Sequence, residues 1–64
     1  MMDHDAFYRL LQEEANLTMK IRKLYNFLRS PQADEEQVEH LRTQLSVMIE
    51  YREILQKRIQ LELP

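Results

Sequence analysis

The feature that most constrains this chain is a single break between two long segments of heptad-like apolar spacing. Apolar residues recur every three or four positions in both segments, and Ser30-Pro31 interrupts them. Proline cannot continue an upstream helix, and it disfavours helical geometry in the residue before it. The pattern therefore predicts an all-α fold, with a helix at about 4–29, a turn at about 30–33 and a helix at about 34–62.

A connection this short joins antiparallel neighbours, so we expect a two-helix hairpin that packs like a coiled coil along one seam. We define the seam by fourteen positions: Phe7, Leu10, Glu14, Leu17, Ile21, Leu24, Leu28, Val38, Leu41, Leu45, Met48, Arg52, Leu55 and Ile59. If facing residue numbers add to 65 or 66, the two charged members, Glu14 and Arg52, meet. We expect this pair to select the register, because a lone buried charge is costly. The alternative is that both side chains turn outward.

The composition excludes several kinds of site. Neither glycine nor cysteine occurs among the 64 residues, which rules out phosphate-cradling glycine loops and disulfides. The two histidines, His4 and His40, have no sheltered acid–base partner in the pattern, so we predict no enzymatic activity, no metal site and no cofactor. A net charge of −2 argues against binding to a nucleic acid polymer. No apolar run approaches the length of a membrane span.

The chain carries more apolar residues than one hairpin seam needs. Large contiguous apolar patches usually mark an interaction surface, so we expect a homo-oligomer, either a four-helix bundle or a larger assembly. The pattern leaves open whether this surface serves other copies or a foreign partner. The predicted interface consists of Leu11 and Ala15 on the first helix and Val47, Tyr51, Ile54 and Leu61 on the second. We call the last four residues the outer stripe.

Arginine and tyrosine residues that fall close together suggest a ligand site. In the expected register Arg58 comes near Tyr8 and Arg9, and Tyr25 lies three residues from Arg22 on the same flank. Guanidinium groups bind phosphate with a fork of donors, and an aromatic face stacks on a ring, so the combination suits an anionic, nucleotide-type ligand. The plainer interpretation is ordinary surface charge beside tyrosines buried between subunits. The candidate ligand-binding residues are Tyr8, Arg9, Arg22, Tyr25 and Arg58.

One run of the second helix is more distinctive than the seam itself. It reads QLSVMIEYREILQKRI, and it follows a first helix with the pattern Leu17, Lys20-Ile21, Lys23-Leu24 and Phe27-Leu28. Over about residues 12–60 the chain resembles a family of small phage and prophage proteins named for their relatedness to a crAss-like phage gene product. The resemblance implies a viral or prophage origin and action in the bacterial host cytoplasm. It carries over no catalytic residues.

That origin shapes our functional hypotheses. Small helical phage proteins often act by stoichiometric binding, so we expect a counter-defence protein. The favoured form is an oligomeric sponge that sequesters a nucleotide-type immune signal, such as a cyclic nucleotide. The first alternative is a helical module that binds and inhibits a host protein. The second is a structural or assembly component of the virion.

Overall fold

The protein is a hairpin of two long helices in a computed structural model that describes residues 2–31 and 34–64. Helix α1 spans His4–Leu28 and helix α2 spans Glu35–Glu62. The two helices pack against each other along a rod of 45 × 14 × 14 Å. The expected hairpin is thereby confirmed as an all-helical fold.

Side-chain caps and backbone geometry set the helix ends. The carboxylate of Asp3 accepts a 2.8 Å hydrogen bond from the Ala6 N–H at the start of α1. Asp34 caps α2 by accepting from the Glu36 N–H at 3.1 Å. Such caps satisfy N–H groups that have no partner inside the helix. Helix α1 ends at Leu28, three residues before Pro31. The second half of the predicted turn, residues 32–33, lies outside the described residues.

The seam carries the core. Every one of its fourteen residues is buried or half-buried, and Leu55 is completely enclosed. The strongly buried set is small and consists of Leu10, Leu17, Ile21 and Leu55. Met2 and Ile49, which lie outside the predicted seam, also pack against this set. Burial of apolar area along one line therefore holds the helices together.

Side-chain hydrogen bonds also link the two arms of the hairpin. The Met2 N–H donates to Glu62 at 3.0 Å, and Tyr51 donates its hydroxyl proton to Glu13. The residue numbers in each of these two pairs add to 64. The first bond joins the open ends of the hairpin, and the second lies near its middle.

Candidate functional site

A polar groove runs between the helices on one side of the hairpin. Helix α1 presents residues spaced by four, three and four positions, a spacing that places side chains on one helix face. Tyr51 reaches across from α2, and the volume of the groove is about 360 Å³. The lining residues are Arg9, Gln12, Glu13, Asn16, Leu17, Lys20 and Tyr51.

The Tyr51 hydroxyl forms a hydrogen bond across the middle of this groove. It donates a hydrogen bond to the carboxylate of Glu13, which joins the two helices. That bond, with some desolvation and the negative charge of Glu13, raises the pKa of Tyr51 above its ordinary value, while the positive charge of Arg58 acts in the opposite direction. Tyr51 therefore stays protonated and presents a neutral ring beside charged neighbours.

Two cations stand at separate points along the groove. Arg9 and Lys20 are both exposed, and within residues 2–31 and 34–64 neither forms an ion pair with a carboxylate. Asn16 and Gln12 add amide groups, each with donor and acceptor atoms. The groove thus offers two cations outside any ion pair among the described residues, one carboxylate, an aromatic ring and neutral hydrogen-bonding groups. This combination can bind an anionic ligand that carries a ring.

The predicted ligand-binding residues are not gathered into one site within a single chain. Of the five, Arg9 lines the groove. Tyr8 instead accepts a 3.3 Å hydrogen bond from Gln12. The ring of Tyr25 lies 5.7 Å from the guanidinium carbon of Arg29, whereas the sequence suggested Arg22 as its neighbour. Residues four apart on a helix lie on the same face, as residues three apart do, so spacing did not choose between the two arginines.

Arg58 lies close enough to act on Tyr51 electrostatically. The groove also contains polar residues that the sequence argument did not select, namely Gln12, Glu13, Asn16 and Lys20. Their regular spacing beside the seam was a usable signal. This spacing does not by itself indicate a site, because charged residues next to a seam are ordinarily solvated surface.

Glu14 and Arg52 occupy half-buried seam positions, as the heptad pattern predicted. The Glu14 carboxylate accepts from the Thr18 hydroxyl at 3.2 Å and from the Gln56 amide at 3.0 Å. The Nε atom of Arg52 is buried without a hydrogen-bond partner. Among the described residues, no ion pair joins Glu14 to Arg52. A neutral amide from the next turn of α2 provides the cross-helix partner of Glu14 instead.

The described residues offer neither a metal site nor a membrane span. They contain no group of three or more His, Cys, Asp or Glu side chains arranged to hold a metal ion. Both histidines are exposed on the helix surfaces. Neither helix there combines the length and the apolar character that crossing a bilayer requires.

A comparison with protein-family models gives the decisive match. The Sequestin model matches residues 4–61, nearly the whole hairpin. The chain belongs to the Sequestin family. The family's name denotes sequestration, which is a binding role rather than a catalytic one. The match covers α1, all of α2 except its last residue, and every residue of the groove. The chain shows no significant match to a curated protein or to a solved structure.

Proposed function

We propose that this protein sequesters an anionic, nucleotide-type signalling molecule by stoichiometric binding. The observation that carries the proposal is the groove, which Tyr51 lines together with two cations, Arg9 and Lys20, that form no ion pair within the described part of the chain. Membership in the Sequestin family supports a sequestering role. The biological setting that we propose is counter-defence by a phage or prophage, in the cytoplasm of a bacterial host.

The groove suits the parts of a nucleotide separately. Arg9 offers a planar fork of donors for a phosphate, and Lys20 offers a point charge for a second anionic group. Tyr51 offers a ring face for stacking against a base. Glu13 is an acceptor for a sugar hydroxyl or an exocyclic amine once the ligand displaces the Tyr51 hydroxyl. Each role uses a side chain that already lines the groove.

Sequestration requires tight binding and enough copies of the protein, and it does not require catalysis. No histidine, serine or cysteine lines the groove, so its lining holds no Ser–His or Cys–His pair. A binder that consumes no ligand must be present in amounts comparable to its target. A short chain that assembles as a homo-oligomer and presents one groove per copy meets this need.

The test is thermal unfolding in the presence of a panel of cyclic mononucleotides and cyclic dinucleotides. A ligand that binds only the folded state stabilises it by about 2.7 kcal/mol at a hundredfold excess over Kd. For a domain of this size, that raises the unfolding midpoint by roughly 10 °C or more. We expect at least one member of the panel to produce such a shift at micromolar concentration. The absence of any shift across the panel would rule the proposal out.

Matched variants locate the binding site. Arg9→Ala and Lys20→Ala should each abolish or strongly reduce the thermal shift, because each removes a groove cation. Lys23→Ala and Arg42→Ala remove exposed cations that do not line the groove, so they should retain the shift. A loss of the shift in all four variants would indicate binding through general charge rather than through the groove.

The second candidate function rests on the outer stripe, whose four residues are all exposed in the single chain. An apolar helix face of this kind also fits the groove of a foreign protein, as in helix-in-groove recognition. This alternative predicts no response to any nucleotide and a host protein whose binding is lost in Val47→Asp. Because the same change would break a homo-oligomer, solution mass must be measured beside binding.

A further inference from the structure

The single chain exposes more surface than a compact protein of its mass. Its accessible area is 5527 Å². A compact monomer of 7.9 kDa exposes about 4,400 Å². The excess of roughly 1,100 Å² exceeds the area of about 800 Å² that each partner contributes to a standard protein interface. The area therefore suffices for a stable contact with a second copy.

The outer stripe contributes exposed apolar surface to this excess area. Its members are 59% (Val47), 40% (Tyr51), 54% (Ile54) and 84% (Leu61) exposed. Arg58 continues the same spacing, because the positions 47, 51, 54, 58 and 61 follow steps of four, three, four and three. This is the spacing of a coiled-coil seam. Among the described residues, the Tyr51 hydroxyl of this stripe reaches α1, while the side chains of Val47, Ile54 and Leu61 remain exposed. One basic residue thus lies within an otherwise apolar helix face.

We propose that the outer stripe packs antiparallel against the outer stripe of a second copy, around a two-fold axis at Ile54. In this arrangement facing residue numbers add to about 108, so Val47 meets the partner's Leu61. Tyr51 meets the partner's Arg58, where the guanidinium stacks on the ring. The apolar layers bury each other, and the one basic member of each stripe gains an aromatic neighbour.

Charge patterning favours the antiparallel direction. Glu50 and Lys57 are seven residues apart, so they lie on the same flank of the outer stripe. Antiparallel pairing brings Glu50 to the partner's Lys57, and the symmetry repeats this ion pair on the other copy. In a parallel pair around a two-fold axis, identical residues would meet, and Arg58 would face the partner's Arg58. Like charges in contact are unfavourable, so the sequence selects one direction.

The second copy also completes the groove. Tyr51 belongs both to the outer stripe and to the groove lining, so the partner's Arg58 comes to lie at the groove mouth. Each groove would then hold three cations: Arg9 and Lys20 of one chain and Arg58 of the other. This last step rests on the proposed function, because it assigns Arg58 to the ligand from outside the chain. It also brings two of the five predicted ligand residues, Arg9 and Arg58, to one groove.

Disulfide trapping tests the arrangement without any ligand, because the chain has no cysteine of its own. Under an oxidising glutathione couple, Ile54→Cys should form a covalent dimer with itself, since the axis passes between the two residues. Val47→Cys should form a covalent dimer when mixed with Leu61→Cys and not by itself. Ser46→Cys, an exposed near-isosteric change outside the stripe, is the matched control and should remain uncrosslinked.

Every other pattern overturns the proposal. Self-crosslinking of Val47→Cys alone would indicate parallel pairing, and trapping of Ser46→Cys would indicate collision without specificity. A solution mass of one chain at all concentrations would rule out the second copy altogether. A multimer in which Ile54→Cys stays reduced would place the interface on another surface.

The contribution of Arg58 in trans has its own test. Tyr51→Cys mixed with Arg58→Cys should yield a crosslinked heterodimer, whereas each variant alone should not. If this pair did not crosslink while Ile54→Cys still did, the dimer would stand, but Arg58 would not lie at the partner's groove mouth. Because these reactions contain no nucleotide, they succeed or fail independently of the thermal-shift panel. If no nucleotide produced a thermal shift but the crosslinks formed, the proposed ligand would be ruled out and the proposed dimer would stand.

Discussion

Leu55 and Ile54 are neighbours in the sequence, yet they lie on opposite sides of the boundary between the core and the surface. Leu55 is 0% exposed in the seam, while Ile54 in the outer stripe is 54% exposed. Two aliphatic side chains of nearly equal size thus have different roles. One stabilises the hairpin, and the other remains available to a partner.

The contrast extends to the two helices. Helix α1 contributes three of the four strongly buried residues, whereas α2 contributes Leu55. The apolar residues of α2 are divided between the seam and the outer stripe. A helix with apolar residues on more than one face is usually buried on more than one side. We therefore expect the seam face of α2 to stabilise the folded hairpin and the outer stripe to mediate association. Substitutions on each face test these two roles.

The largest effect should come from Leu55→Ala. A large-to-small change at a fully buried site costs about 2–5 kcal/mol. A single core of this size supplies roughly 3–5 kcal/mol of stability. We therefore expect the variant to lose most of its helical circular dichroism at room temperature. Ile54→Ala is the control and should retain its helicity in dilute solution. Equal losses in both variants would show that the outer stripe belongs to the core of the single chain.

The next effect should come from Ile54→Asp, measured as solution mass by light scattering. An unpaired carboxylate at the centre of an apolar interface costs several kcal/mol. Since each 1.4 kcal/mol is a factor of ten, the dissociation constant should rise by about a hundredfold or more. Ser46→Asp adds the same charge outside the stripe and should leave the mass unchanged. An unchanged mass for Ile54→Asp would mean that the stripe is not the interface.

A smaller effect is expected at Arg52 in the seam, where a substitution should increase stability rather than reduce it. The Nε atom of Arg52 is buried without a hydrogen-bond partner, which is unfavourable. Arg52→Met keeps the length of the side chain and removes that group, so it should raise the free energy of unfolding by about 1 kcal/mol. Urea denaturation measures this change, with the exposed Arg42→Met as control. A clear loss of stability would instead indicate that Arg52 is paired in solution.

The smallest effect concerns Tyr51 and pH. Its folded-state pKa is raised above the ordinary value of 10.0, chiefly by its hydrogen bond to Glu13. The contribution of this bond to stability is therefore complete below pH 10 and lost as the pH rises through the folded-state pKa. Because the group is exposed, we expect only a slight change in stability in Tyr51→Phe. Phenolate absorbance should show that Glu13→Gln lowers the pKa of Tyr51, and an unchanged pKa would argue against the hydrogen bond.

Much of the fold follows from periodicity. The three-four spacing selected fourteen seam positions, and all of them are buried or half-buried, including the charged pair. The same spacing identified the outer stripe, whose four residues are exposed. The helix caps at Asp3 and Asp34 follow from residue type and position beside the first helical turn. These features are local or strictly periodic, so the order of residues determines them.

The candidate site was less predictable. Tyr25 lies beside Arg29 rather than Arg22, and Glu14 bonds Gln56 rather than Arg52. In each case two partners lie within reach of a long side chain, on neighbouring turns of a helix. Periodicity fixes the face on which a residue lies, but it does not fix the rotamer that a flexible side chain adopts.

The sequence by itself determined two helices, one turn, one seam and a surplus of apolar surface. The tertiary structure decided which polar residues meet across the helices. It placed Tyr51 against Glu13, and it thereby formed a groove with Arg9 and Lys20 that no single helix possesses. The physical reason is that burial acts on whole faces, which a one-dimensional pattern records. A hydrogen bond acts between particular atoms, and their approach depends on how the two helices pack.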